Sequence, residues 1–263
     1  MIKKIVLFTV FFMMAAFAGG AKVSRAEGWY MRGAVGFERS KAAEFCDSDC
    51  TATDPPALFG CGNGSNGESL GVSGDFGSFP VTELSFGRQL LPWLRGDLGV
   101  QYLFHMDYEG QANFLSVGRN QPVSAEASSF SGMISLFLEG KGFTDIGMGR
   151  FEPYIGCGVG LARNRISKMT YHFPENSGRH KLSVTPSGER TDFAFMLAVG
   201  TGIVLSDRIV LDIAYRYQDL GNVETDPGIM VMDILPSGIR IDGTSAPLRT
   251  HGVVIGLRYR FRR

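Results

Sequence analysis

Val253-Val254-Ile255-Gly256-Leu257-Arg258-Tyr259-Arg260-Phe261 alternates without a break. Val253, Ile255, Leu257, Tyr259 and Phe261 are large and apolar, whereas Gly256, Arg258 and Arg260 between them are small or charged. Successive side chains of a strand point to opposite faces, so this stretch reads as a strand with one greasy and one polar side. The run spans 248–260 or 261. Seven more runs of the same kind precede it, at 29–39, 81–90, 94–108, 128–140, 151–165, 190–206 and 208–220. Leu211-Asp212-Ile213-Ala214-Tyr215-Arg216-Tyr217 is the clearest of them.

The connections alternate in length. Segments 40–80, 109–127, 166–189 and 221–247 are long and rich in Gly, Pro, Ser and Asp, and read as four loops at one end. The three between them are short: near Leu91-Pro92, at 141–150, and at Ser206-Asp207. Eight strands with short turns at one end and long loops at the other define an all-β, antiparallel up-and-down transmembrane barrel, with the short turns periplasmic. Lipid accepts the large apolar face, and closure leaves no backbone edge unpaired in hydrocarbon. A soluble periplasmic barrel is the alternative; it would turn the apolar faces inward.

The opposite faces supply a lumen. Its bases are Arg32, Arg95, Arg216, Arg258 and Arg260, and its acids Glu38, Glu83, Asp97, Glu139 and Asp212. Five against five predicts an ion-paired interior, and about eight strands enclose just enough room for side chains. No wide aqueous channel is expected. Trp29, Trp93, Tyr102, Phe104, Tyr154, Tyr217 and Tyr259 lie near run ends and fit aromatic girdles.

The first residues are of another kind. Lys3 and Lys4, an apolar run from Ile5 to Ala18 broken only by Thr9, and then small residues form a secretory signal peptide. Cleavage after Ala26 (Ser24-Arg25-Ala26) is favoured over Ala16-Phe17-Ala18, dividing the chain into 1–26 and a barrel domain 27–263. Removal takes four bases and no acid, leaving 22 bases and 26 acids, a net charge of −4. Nothing in that balance suits nucleic acid. With 44% hydrophobic residues the chain is too apolar for disorder.

Trp29-Tyr30-Met31-Arg32-Gly33, Pro153-Tyr154-Ile155-Gly156-Cys157-Gly158-Val159-Gly160 and the two stretches quoted above together resemble the small eight-stranded outer-membrane barrel surface proteins, of the opacity type and the alphaproteobacterial outer-membrane antigens. The likeness covers the layout of nearly all of 27–263 and is strongest in motifs from 151 to 263. It implies a bacterial outer-membrane location, lipid and lipopolysaccharide as surroundings, insertion by the barrel-assembly machinery, and loops facing host or other cell surfaces. Val253, Ile255, Leu257, Tyr259 and Phe261 match that family's assembly signal; Arg262 and Arg263 after the last aromatic depart from it.

Cys46, Cys50 and Cys61 share the first loop, and one disulfide among them is expected in an oxidising compartment, with three pairings open. Cys157 reads as lipid-facing. A loop metal site helped by Asp47 and Asp49 lacks the paired spacing of structural zinc. No cofactor motif is present, and Gly156-x-Gly158-x-Gly160 is no nucleotide loop. His105, His172, His180 and His251 are scattered; His105 and Asp107 share a face as a rim pair rather than a dyad. The chain therefore reads as a non-enzymatic envelope and loop-display protein, with a narrow porin-like pore and, behind it, an outer-membrane hydrolase as alternatives.

Overall fold

A computed structural model describes residues 28–57, 60–64, 67–114, 118–140, 149–173 and 182–261. Residues 1–26, where the sequence leads us to expect a signal peptide, His180, Arg262, Arg263 and most of the turn 141–150 lie outside them. Eight long strands carry the fold: β1 (Trp29–Ser40), β4 (Ser78–Leu91), β5 (Leu94–Phe114), β6 (Gly118–Glu139), β7 (Phe151–Ile166), β10 (Gly188–Val204), β11 (Ile209–Glu224) and β14 (Thr244–Arg260). Each pairs antiparallel with the next. The ring closes between β1 and β14, in register from Tyr30↔Arg260 to Ser40↔Thr250.

The alternation sorts by face. Val35, Phe37, Leu98, Ile134, Ile155, Leu161, Leu197, Val199 and Leu257 all stand outside, Phe37 69% exposed. Their neighbours in sequence, among them Ala34, Asp97, Met133, Tyr154 and Arg258, are buried inside. In water such an exterior would forfeit roughly 1.5–3 kcal/mol for each large side chain left uncovered. Facing hydrocarbon it costs nothing. The soluble alternative required the reverse orientation and is set aside. Tyr154 is corrected in the same way: only 4% exposed, it is a lumen residue rather than part of a girdle.

The outer apolar surface ends sharply. Above Phe37, Leu161, Phe193, Tyr217 and Val253 the next outward side chains are Arg39, Arg163, Thr191, Asp219 and His251. Beyond that line the sheet continues, which corrects the reading of 40–80, 109–127, 166–189 and 221–247 as loops. β5 and β6 run on together to Phe114↔Gly118. Six short strands join them: β2 (Ala43–Asp47), β3 (Gly71–Asp75), β8 (Thr170–His172), β9 (Leu182–Val184), β12 (Gly228–Met232) and β13 (Leu235–Ile241). β2 and β3 bridge β14 to β5, while β8, β9, β12 and β13 extend from β6. The Gly and Ser residues that suggested loops sit within strands here: Gly74 pairs with Ala43, and Gly110 with Gly74. A Cβ on Gly74 would lie 2.2 Å from the Glu109 carbonyl oxygen, so close strand approach accounts for that glycine.

This outer tier has its own core. Phe45, Phe76, Phe79, Leu103, Met106, Tyr108, Met169, Tyr171, Leu220 and Ile241 are fully buried in it. The Tyr108 ring meets Phe45 at 5.0 Å edge-on and Phe76 at 5.1 Å. Its hydroxyl donates to the carbonyls of Ala43 (3.0 Å) and Val72 (3.1 Å). Burial pushes the Tyr108 and Tyr171 phenols above their ordinary range, so both are neutral donors. The sequence predicts an ion-paired interior. Its outer part is instead apolar, because the inward positions of the extended strands (Phe79, Val81, Leu103, Met106, Tyr108) are roofed by β2, β3 and β8 rather than open to water.

Candidate functional site

Below the apolar tier the lumen is packed with charge. Glu139, without solvent exposure, accepts from Arg95 Nε (3.1 Å), Arg258 Nη1 (3.1 Å) and Gln89 Nε2 (3.0 Å). Arg258 also reaches Asp212 (3.1 Å) and Glu152 (3.4 Å), and Arg260 reaches Glu152 at 2.5 Å. Nearer the outer tier, Arg32 and Arg216 share Glu83; Arg216 Nη1 lies 2.6 Å from it. Arg216 Nε also donates to Glu38, which accepts from Gln218 (3.0 Å) and Thr250 (2.6 Å). Arg32 lies 3.5 Å from Asp212, joining the two groups. Arg95 contacts Asp97 at 3.7 Å and stands between the rings of Phe137 (3.9 Å) and Tyr154 (4.8 Å). All ten charges named from the sequence meet here.

Burying ions this deep is tolerable only when each finds partners. One charge and one phenol were missed besides the neutral donors Gln89, Gln218 and Thr250. Glu152 adds a sixth acid, and its position two residues before the inward Tyr154 was the available signal. Tyr30 donates to Asp97 (3.1 Å) and accepts from Arg95 (3.2 Å). Its place in an alternating run marked it as inward, but nothing local marked its partners. Gln101 reaches across to Gln218 at 2.7 Å. A void of about 40 Å³ remains between Arg32, Glu83, Asp97, Gln101 and Arg216, room for about three waters.

The outer face carries aromatic bands. Trp29 stacks on Phe86 at 5.0 Å, and Phe86 and Tyr259 flank Phe261 at 6.2 and 5.4 Å, near the periplasmic end. Tyr102 stacks on Phe104 near the outer boundary. Val253, Ile255, Leu257, Tyr259 and Phe261 form one exposed outward row.

In the first extracellular segment Cys50 and Cys61 are disulfide-bonded, with Cα atoms 5.9 Å apart. Cys46 is free, and its thiol is pushed up by partial burial and the Asp47 and Glu44 carboxylates. Asp49 accepts from the Thr51 backbone and hydroxyl, which lowers its carboxyl. With two thiols tied in a disulfide, Cys46 alone is left as a soft ligand for the metal alternative. Among the described residues no group of three or more His, Cys, Asp and Glu is placed to hold an ion. Cys157 is exposed on the lipid side. His251 Nδ1 lies 3.0 Å from the Tyr215 hydroxyl on the outer wall, and His105 and Asp107 both point outward.

A closed eight-stranded ring with a lipid-facing exterior and a charge-filled lumen is the architecture of a bacterial outer-membrane barrel. The chain belongs to the outer membrane protein β-barrel domain family, whose match covers residues 5–261. It resides in the bacterial outer membrane. An uncharacterized protein of Brucella abortus is 26% identical over 256 residues, 89% of this chain and 85% of its own. Outer membrane protein PagN of Salmonella typhimurium is 34% identical over 73 residues, only 28% of either chain. Among solved structures, the outer membrane protease OmpT of Escherichia coli superposes with a TM-score of 0.51 at 11% identity, covering 92% of this chain and 99% of its own. That likeness is one of fold.

Proposed function

We propose that this protein is a non-enzymatic display barrel. The wall anchors a rigid extracellular tier, and the tier presents contact residues to host or other cell surfaces. The observation that carries this reading is the β12–β13 hairpin, where Ile229, Val231, Ile234 and Leu235 are 54%, 44%, 58% and 38% exposed. These residues lie far beyond the lipid belt, on a platform with its own core. Clustered aliphatic side chains in an aqueous setting mark a contact surface. Lipopolysaccharide around the belt and the assembly machinery acting on the Val253–Phe261 row complete the proposed partners.

Because 40–80 is woven into the outer core, deleting it is a poor test. Replacing Ile229, Val231, Ile234 and Leu235 by serine is the cleaner one. Adhesion of cells expressing the quadruple variant should fall to background while the barrel still shifts in gel mobility on boiling. Undiminished adhesion would sink the display reading.

The pore alternative faces two seals in series: the apolar tier and the charged lumen. In planar bilayers the refolded protein is expected to give no steady unitary steps above baseline. Regular conductance steps would overturn the plugged-barrel reading in favour of a pore.

A further inference from the structure

Where β5, β6 and β7 cross the outer boundary of the lipid belt, the wall carries a groove of about 550 Å³. That is within the range of small-ligand sites. A β-bulge makes it. Pairing of β5 with β6 runs regularly to Leu103↔Ser129 and resumes at Met106↔Ala127, so β5 holds one extra residue. His105 absorbs the irregularity with φ at +54°, a left-handed conformation uncommon outside glycine. Phe104 and His105 are thereby both turned outward. Tyr102 and Phe104 stack at 5.9 Å, and the His105 ring stands edge-on to Phe104 at 5.5 Å. The floor is an aromatic platform.

The far side is polar and fixed. The Ser167 hydroxyl accepts from the Glu126 backbone N–H, and the Ser167 N–H donates to the Glu126 carbonyl, each at 2.8 Å. Arg165 lines the groove, and with Arg163 it holds Glu189. Both guanidiniums remain more than half exposed, so most of their donors are free to bind elsewhere. Below the groove the wall carries the exposed, lipid-facing side chains Phe130 and Leu161.

We propose that this groove is a binding site for the phosphorylated sugar headgroup of an outer-leaflet glycolipid. The position, at the edge of the hydrocarbon-facing belt, puts a headgroup there while its acyl chains lie along Tyr102 and Phe130. Aromatic rings suit the apolar face of a sugar ring, Glu126 accepts from its hydroxyls, and the arginine forks match phosphate. Because Glu126 and Glu189 balance the two arginines, bare anionic charge gains little. The site therefore selects a sugar phosphate over an ordinary anionic phospholipid. The inference rests on the proposed lipopolysaccharide partner and localises it.

The test is native mass spectrometry of the refolded full chain in mild detergent, titrated with a bis-phosphorylated diglucosamine lipid or with phosphatidylglycerol. One glycolipid should be retained at concentrations where phosphatidylglycerol is not. Arg163→Ala with Arg165→Ala should weaken retention about tenfold or more, and Tyr102→Ala with Phe104→Ala likewise. Arg165→Gln, which keeps a donor toward Glu189, is measured beside them in case the double variants do not close, and should also lose affinity. Arg249→Ala, a rim cation paired with Asp219 on another part of the wall, should bind as the parent does. Equal retention of phosphatidylglycerol, parental binding by the groove variants, or equal loss in Arg249→Ala would each overturn the site. Gel mobility of the same samples keeps the two levels apart: a heat-shifting barrel with no specific adduct removes the groove and leaves the lipid-embedded barrel standing.

Discussion

Glu139→Ala is expected to destabilise the barrel by about 3–5 kcal/mol in detergent micelles, read as the urea midpoint for unfolding. Glu139 is the shared acceptor of Arg95 and Arg258, both about 1% exposed. Removing it leaves two buried guanidiniums short of a counter-charge. Arg258 keeps Asp212 and Glu152, so the larger part of the loss falls on Arg95, whose remaining carboxylate contact, to Asp97, is 3.7 Å long. The cause can be isolated. If the penalty is an orphaned charge, Glu139→Leu combined with Arg95→Met should recover part of the loss, because apolar replacement of both partners is often neutral. A midpoint within 1 kcal/mol of the parent for Glu139→Ala, or a double variant worse than both singles added, would contradict a lumen held by this hub.

Tyr108→Ala should act at the other end of the molecule and in another way. The ring fills the centre of the outer core against Phe45 and Phe76, and its hydroxyl ties β2 to β3 through Ala43 and Val72. Loss of a buried aromatic costs about 3–5 kcal/mol. Here that cost is borne by a tier attached to the barrel rather than by the membrane ring. Protease should cut within 40–80 far faster in the variant, while the boiling-dependent mobility shift persists. Loss of the shift together with the protease resistance would mean that the two tiers fold as one unit. Unchanged protease resistance would mean that the outer core does not hold the first segment.

The two predictions divide along what could be read in advance. Each strand's inward and outward sides follow from a period of two, which is a local property. Arg32, Glu83 and Asp212 were therefore placed inside from their immediate neighbours alone. The extensions were not legible for an equally local reason. In 109–127 and 221–247 the alternation passes to Gly, Ser, Thr and Pro, whose polarity contrast is too weak to mark a face, although the strands persist. Glu152 escaped because it stands at the start of its run, before the pattern is established.

Amino-acid order alone determined the number of membrane strands, the side of each that meets lipid, and all of the enclosed charges except Glu152. Only the closed ring decided their partners. Glu139 meets Arg95 across 44 residues of chain and Arg258 across 119, and Glu38 meets Arg216 across 178. Those encounters depend on the register at which β1 seals against β14 and on the stagger that closure imposes on every strand between. The same closure places Phe45, Phe76 and Tyr108 from three separate strands and loops under one roof, making a core from residues whose local sequence marks them only as parts of loops and strand ends.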